Sequence, residues 1–157
     1  MAGPNTDPIW SRAGLMGTAD ITNAATALVT SNGAAATGVT TSTGEMFVLA
    51  TADATNGSYL VRTRLRWVAS TPTATTATVV RLYISTVSSG ATTSANTDCI
   101  EEIVMGVQNA ANATASTFPY DIIHGFILPA GKTLLASVHQ KPATNTEIQC
   151  VTFGGNY

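Results

Sequence analysis

Hydrophobic and polar residues alternate with period two along most of this chain, most clearly from residue 58 onward. Over residues 58–69, Tyr59, Val61, Leu65 and Trp67 fall on one face of an extended strand, and Arg62, Arg64 and Arg66 fall on the other. Residues 77–87 follow a turn that contains Pro72, which predicts a hairpin partner joined by a loop longer than two residues. Further strands are expected at about 100–107, 119–128, 133–140 and 147–153. Leu128-Pro-Ala-Gly131 turns the chain after the second of these, and Lys141-Pro-Ala-Thr-Asn145 joins the last two. Upstream, residues 45–52 form a compact apolar run and 25–30 a weaker one, separated by a Gly/Thr/Ser-rich stretch expected to be a loop or a poorly specified edge.

No segment sustains a stripe with a period of about 3.6, so helix should be scarce. About eight short strands with turn signals between them predict an all-β chain. The expected architecture is a single antiparallel β-sandwich, jelly-roll-like, spanning residues 21–157. Residues 1–20 differ in kind. Pro4, Pro8, Gly3, Gly14 and Gly17 exclude a stable helix or a central strand there. Ile9, Trp10, Leu15 and Met16 are scattered among them, and Ile9 and Trp10 are bulky for a tail that stays in solvent. An extended arm of this length reaches about 66 Å. It could therefore lie on a neighbouring molecule, a reading that Ile9 and Trp10 favour over a disordered tail.

Composition adds one constraint. Charged residues make up 10% of the 157 residues, against roughly 25% in an average domain. Thr, Ser, Ala, Asn and Gly take their place, leaving a polar, weakly charged surface suited to packing beside many like copies. Such residues also suit strands as such. The formal net charge of −2 argues against a nucleic-acid partner. No apolar run approaches the roughly 18 residues that span a bilayer, so no membrane partner is expected. The N-terminus lacks the basic and apolar regions of an export signal, which predicts synthesis in a cytoplasm.

Candidate chemistry is sparse. Cys99 and Cys150 make neither a disulfide framework nor a zinc site; a buried free thiol is expected at Cys150, with a bridge as the alternative. His124 shares a strand face with Tyr120, Ile122, Phe126 and Leu128, which favours a core histidine satisfied by a neighbour over a general base. His139, near a strand end, is expected at the surface. Gly131-Lys132-Thr133 ends like a phosphate-binding loop, but five residues separate Gly125 from Gly131 and no helix follows. Asp98, Glu101 and Glu102 form an acidic cluster without the ladder of ligands a calcium loop needs, so a solvated face or a partner for arginines is expected. No enzyme activity, cofactor or metal is anticipated.

Four of the seven basic residues remain: Arg62, Arg64 and Arg66 on one strand face, and Arg81 on the next strand. They could pair with Glu101 or Glu102, or grip acidic side chains of a partner protein through forked guanidinium contacts. Contact with nucleic acid or an anionic glycan, or a face merely kept soluble by charge, are the other readings.

With the strands placed, the wording of the chain resembles a group of small β-sandwich virion proteins of tailed bacteriophages. The likeness rests on Pro8-Ile9-Trp10, Leu60-Val-Arg-Thr-Arg-Leu-Arg-Trp67, Ala77-Thr-Val-Val-Arg-Leu-Tyr-Ile84, Leu128-Pro-Ala-Gly131 and the ending Gly154-Gly-Asn-Tyr157. It covers most of the chain from about residue 58, and before that only the style of the arm agrees. The resemblance implies a homotrimeric capsid decoration (cement) protein at the virion surface, bound to the major capsid protein, with residues 1–20 as a strap and Pro8, Ile9 and Trp10 as its anchors. A tail or adsorption component that binds a host-surface glycan is the alternative.

Overall fold

The computed structural model describes residues 14–22, 36–39, 46–69, 73–93, 95–110 and 118–157. They form β1 (Gly14–Ile21), β2 (Ala36–Val39), β3 (Phe47–Thr51), β4 (Ser58–Ala69), β5 (Thr73–Ala74) and β6 (Thr78–Ser85). These are followed by β7 (Gly90–Thr92), β8 (Thr97–Met105), β9 (Asn109–Ala110), β10 (Tyr120–Leu128), β11 (Thr133–Val138) and β12 (Thr146–Asn156). No helix occurs among the described residues.

Eight of these strands make two antiparallel four-stranded sheets, in the orders β1-β12-β4-β10 and β3-β11-β6-β8. Every step between successive main strands crosses from one sheet to the other, except β6 to β8, which are hydrogen-bonded neighbours. This is jelly-roll topology. The short pieces pair separately, β2 with β7 and β5 with β9.

Inward-facing residues of both sheets form one cluster: Leu60, Leu65 and Trp67 from β4, Val80 and Leu82 from β6, and Leu134, Ile148 and Cys150 from β11 and β12. A second cluster of Met46, Tyr83 and Leu135 lies on the other side of the β6–β11 sheet, with Val48 and Val87 against it. All six residues of β11 are consequently buried.

The hairpin anticipated between 58–69 and 77–87 does not form. β4 pairs with β12 and β10, whereas β6 pairs with β11 and β8, so the two strands face each other across the core. Period-two patterning is the same for strands that pair edge to edge and strands that stack face to face, which is why the pattern cannot separate the two cases.

The face assignment within 58–69 holds for Leu65 and Trp67 but fails for Tyr59 and Val61, which are half-buried while Leu60 is fully buried. Pairing with β12 steps from Phe153↔Arg62 directly to Gly154↔Leu60, leaving Val61 as a bulge. One extra residue reverses the inward and outward phase on either side of it.

Residues 14–20, expected in the arm, instead form the edge strand β1, paired with β12 from Gly14↔Gly154 to Ile21↔Ile148. Their glycines serve packing there. A β-carbon on Gly17 would collide with the backbone carbonyl of Leu49, so β1 lies directly on β3 and closes that lateral side of the sandwich. The proposed anchors Pro8, Ile9 and Trp10, and the strand anticipated at 25–30, lie outside the described residues. Two similar turns return the chain between sheets. Lys132 N donates to Pro129 O with Gly131 at φ 71°, and Thr146 N donates to Ala143 O with Asn145 at φ 65°. Both have the positive-φ residue that a type II turn requires.

Candidate assembly surface

The arginines do not form one stripe. Arg62, Arg64 and Arg66 point outward from the β4 sheet. Arg81 points outward from the other sheet, because its neighbours Val80 and Leu82 are in the core. The two groups are therefore on opposite faces of the sandwich.

Arg64 makes a bidentate pair with Asp121 on β10, Nε to Oδ1 at 2.8 Å and Nη2 to Oδ2 at 2.7 Å. Arg62 Nη1 lies 3.8 Å from the same carboxylate, and its guanidinium carbon is 4.6 Å above the centre of the Phe153 ring. The Arg64 hydrogen bonds hold the Asp121 carboxyl below the usual carboxylate range against a small opposing effect of burial, and raise the arginine in turn. Register explains the meeting, since Asp121 is the cross-strand partner of Arg64 and Ile123 that of Arg62. Arg81 Nε is hydrogen-bonded to Glu102 on β8, one of the two partners anticipated for the arginines. Its Nη1 is buried with no hydrogen-bond partner.

His124 is half-buried, with Nε2 2.8 Å from Thr63 Oγ1, which is itself 3.0 Å from Thr152 Oγ1. Burial lowers its pKa, with Glu101 acting weakly in the opposite sense. A neighbour thus satisfies this histidine, as its strand position implied. Cys150 is a buried free thiol, as expected, and burial raises its pKa far above the ordinary value. Cys99 is free and exposed. His139 is exposed just beyond β11.

A cleft of about 360 Å³ opens between β8 and β10, lined by Ile84, Ile100, Glu101, Ile123, His124 and Phe126. These are the edge strands of the two sheets on the side away from β1 and β3. Here the sandwich is not closed by a contact like that of Gly17 with Leu49. β8 is exposed over 98–102 and again at Val104, on both of its faces. Ile123, Val104 and Phe118 are 72%, 73% and 77% exposed, and Ile127 and Val107 are also open to solvent. Among the described residues, Leu15 is the one large exposed hydrophobic from outside the stretch of β8, β10 and their connection.

These apolar residues, and Asp121 as counter-ion, were not singled out from the sequence. The signal was present in Ile122-Ile123 and Phe126-Ile127-Leu128, where adjacent apolar residues place hydrophobic groups on both faces of one strand.

A second recess, of about 450 Å³, lies by the β11–β12 turn; its lining includes Lys141 and Glu147 but no aromatic or histidine. Among the described residues no group of three or more His, Cys, Asp or Glu is placed to hold a metal ion. No family model matches this chain, and neither a curated protein nor a solved structure is significantly similar to it.

Proposed function

We propose that this chain is a non-enzymatic structural protein of a tailed-phage virion that decorates the capsid by binding the major capsid protein. The observation that carries this reading is the exposed apolar side chains of the two neighbouring edge strands β8 and β10, with Val104 on the outer face of one sheet and Ile123 on that of the other, each more than two-thirds exposed. Exposed apolar side chains gathered on one side of a domain mark a surface that another protein covers. The jelly-roll fold and the virion-protein wording point the same way. On this reading Pro8, Ile9 and Trp10 anchor an arm on the shell, and Arg62, Arg64 and Arg66 supply polar contacts to it. Many weak contacts, repeated in each copy of an oligomer, give firm attachment through avidity.

The glycan-binding alternative needs exposed aromatic rings on which a sugar can stack. Trp67 and Tyr83 are 1% and 0% exposed, so neither ring can meet a sugar. Purified protein co-sedimented with mature, undecorated heads of its source phage tests the proposal. Saturable binding that improves head survival on heating is the expected result. Absence of binding moves the protein to the tail or adsorption apparatus.

A further inference from the structure

We infer that the cleft between β8 and β10 receives a long basic side chain, lysine or arginine, presented by the protein that covers this side of the sandwich, with Glu101 as its counter-ion. The inference rests on the reading of this side as a surface that meets the shell, and it names the chemistry the shell must bring there.

Strand register turns Glu101 toward the gap between the sheets. Its cross-strand partner on β6 is Leu82, a core residue, and residues directly opposite in an antiparallel pair share a face. The next residue, Glu102, is opposite Arg81 and points outward with it. Glu101 therefore sits at the mouth of the core, among the isoleucines and Phe126 that wall the cleft. His124, the remaining lining group, is held by Thr63 through Nε2 and meets the Phe126 ring edge-on, with centres 5.5 Å apart. Burial lowers its pKa, so at neutral pH the imidazole is uncharged and does not offset the carboxylate.

Nor does a cation of the chain offset it. Among the described residues the ion pairs go to Asp121 and Glu102, and none goes to Glu101. Asp121 holds Arg62 and Arg64 on the outer face of one sheet, and Glu102 holds Arg81 on the outer face of the other. The cleft is thus an apolar recess with one uncompensated negative charge.

That combination selects its occupant. A purely apolar group would strip water from Glu101 and give it no partner, which is costly. Lysine and arginine lay a methylene stem along apolar surface and keep the charged head at the polar edge. An arginine can also contact the face of an aromatic ring. A volume of about 360 Å³ is at the small end for a ligand pocket, in scale with a side chain. The cation comes on a protein because Ile123, Val104 and Ile127 stand open on the same two strands, and a small free amine would leave them uncovered. An inward-pointing charge on an edge strand can also serve only to deter strand pairing; a guard of that kind binds no cation, which the test separates.

The test titrates the full chain with n-butylammonium and n-propylguanidinium, the side chains of lysine and arginine, and with uncharged n-pentanol. Nuclear magnetic resonance of the isoleucine methyl groups and the His124 ring reads the cleft. Saturable shifts at Ile84, Ile100, Ile123 and His124 are expected with at least one of the cations, at about millimolar concentration, and weaker binding with the alcohol. Glu101→Gln, at an exposed position, should melt like wild type and weaken cation binding at least about threefold. Glu147→Gln on β12 is the control and should leave it unchanged. The inference is overturned if neither cation gives a saturable shift, or if the alcohol binds as well as the cations. Cation binding that survives Glu101→Gln intact also overturns it and leaves Glu101 as an edge guard. Head binding is scored separately. Cations that fill the cleft of a protein indifferent to heads remove the capsid reading alone, and heads bound equally well by Glu101→Gln remove the inference alone.

Discussion

His124 has a single hydroxyl neighbour to answer to, and that hydroxyl has a second obligation. Thr63 has one proton, so it donates to either His124 or Thr152 and accepts from the other. The neutral imidazole fits this arrangement, and burial lowers the histidine pKa in keeping with it. The sign of the resulting pH effect follows from the unfolded value near 6.5. Below that pH the unfolded chain binds a proton that the folded chain resists, so stability present at neutral pH is lost as pH falls toward the lowered folded pKa. The melting temperature should drop between neutral pH and about pH 5, and His124→Gln should remove that step. An unchanged profile in the variant would assign the drop to other groups. At this scale the chain's own pattern was informative. His124 and Cys150 are in the environments their strand positions implied, because one apolar face constrains each of them. Asp121 was not picked out as the partner of Arg64, because cross-strand partnership depends on register and not on local pattern.

Strand pairing decides how much of a period-two pattern can be trusted. Alternation located β4, β6, β10, β11 and β12 closely, yet it joined β4 to β6 and set Tyr59 and Val61 facing inward. The first error comes from a pattern common to paired and stacked strands, the second from one bulged residue. β1 was concealed for another reason. Gly14 and Gly17 resemble the punctuation of a loose arm, but Gly17 is there because only a hydrogen can sit against the Leu49 carbonyl. Gly17→Ala should therefore cost about 1–3 kcal/mol of stability, measured by denaturant unfolding. Wild-type stability in that variant would mean that β1 can move away from β3 at little cost.

At the scale of the molecule, the first described strand and the last are neighbours, and β12 lies between β1 and β4. A jelly roll is dominated by such distant pairings, which form late and slowly. Truncation after Asn145 should consequently abolish the cooperative transition rather than trim the edge of the fold, since both β1 and β4 lose their partner. Thermal unfolding of the shortened chain, followed by near-ultraviolet circular dichroism, checks this; a retained sharp transition would show a sandwich able to close without β12. The all-β class and the sandwich were legible from alternation and turn signals. The assignment of strands to sheets was not, because it depends on contacts between residues far apart in the sequence.

The pairing of Gly14 with Gly154 has a practical corollary. The start of β1 and the end of β12 lie side by side at one pole of the domain, where Tyr157 N also donates to Gly57 O at 3.4 Å. Anything joined ahead of β1 and anything joined after Tyr157 therefore leaves from the same pole. The turn at 143–146 lies beyond the opposite ends of these strands, at the far pole. A short linker between the two ends, with the chain reopened at that turn, would move both attachment points across the molecule without altering a strand.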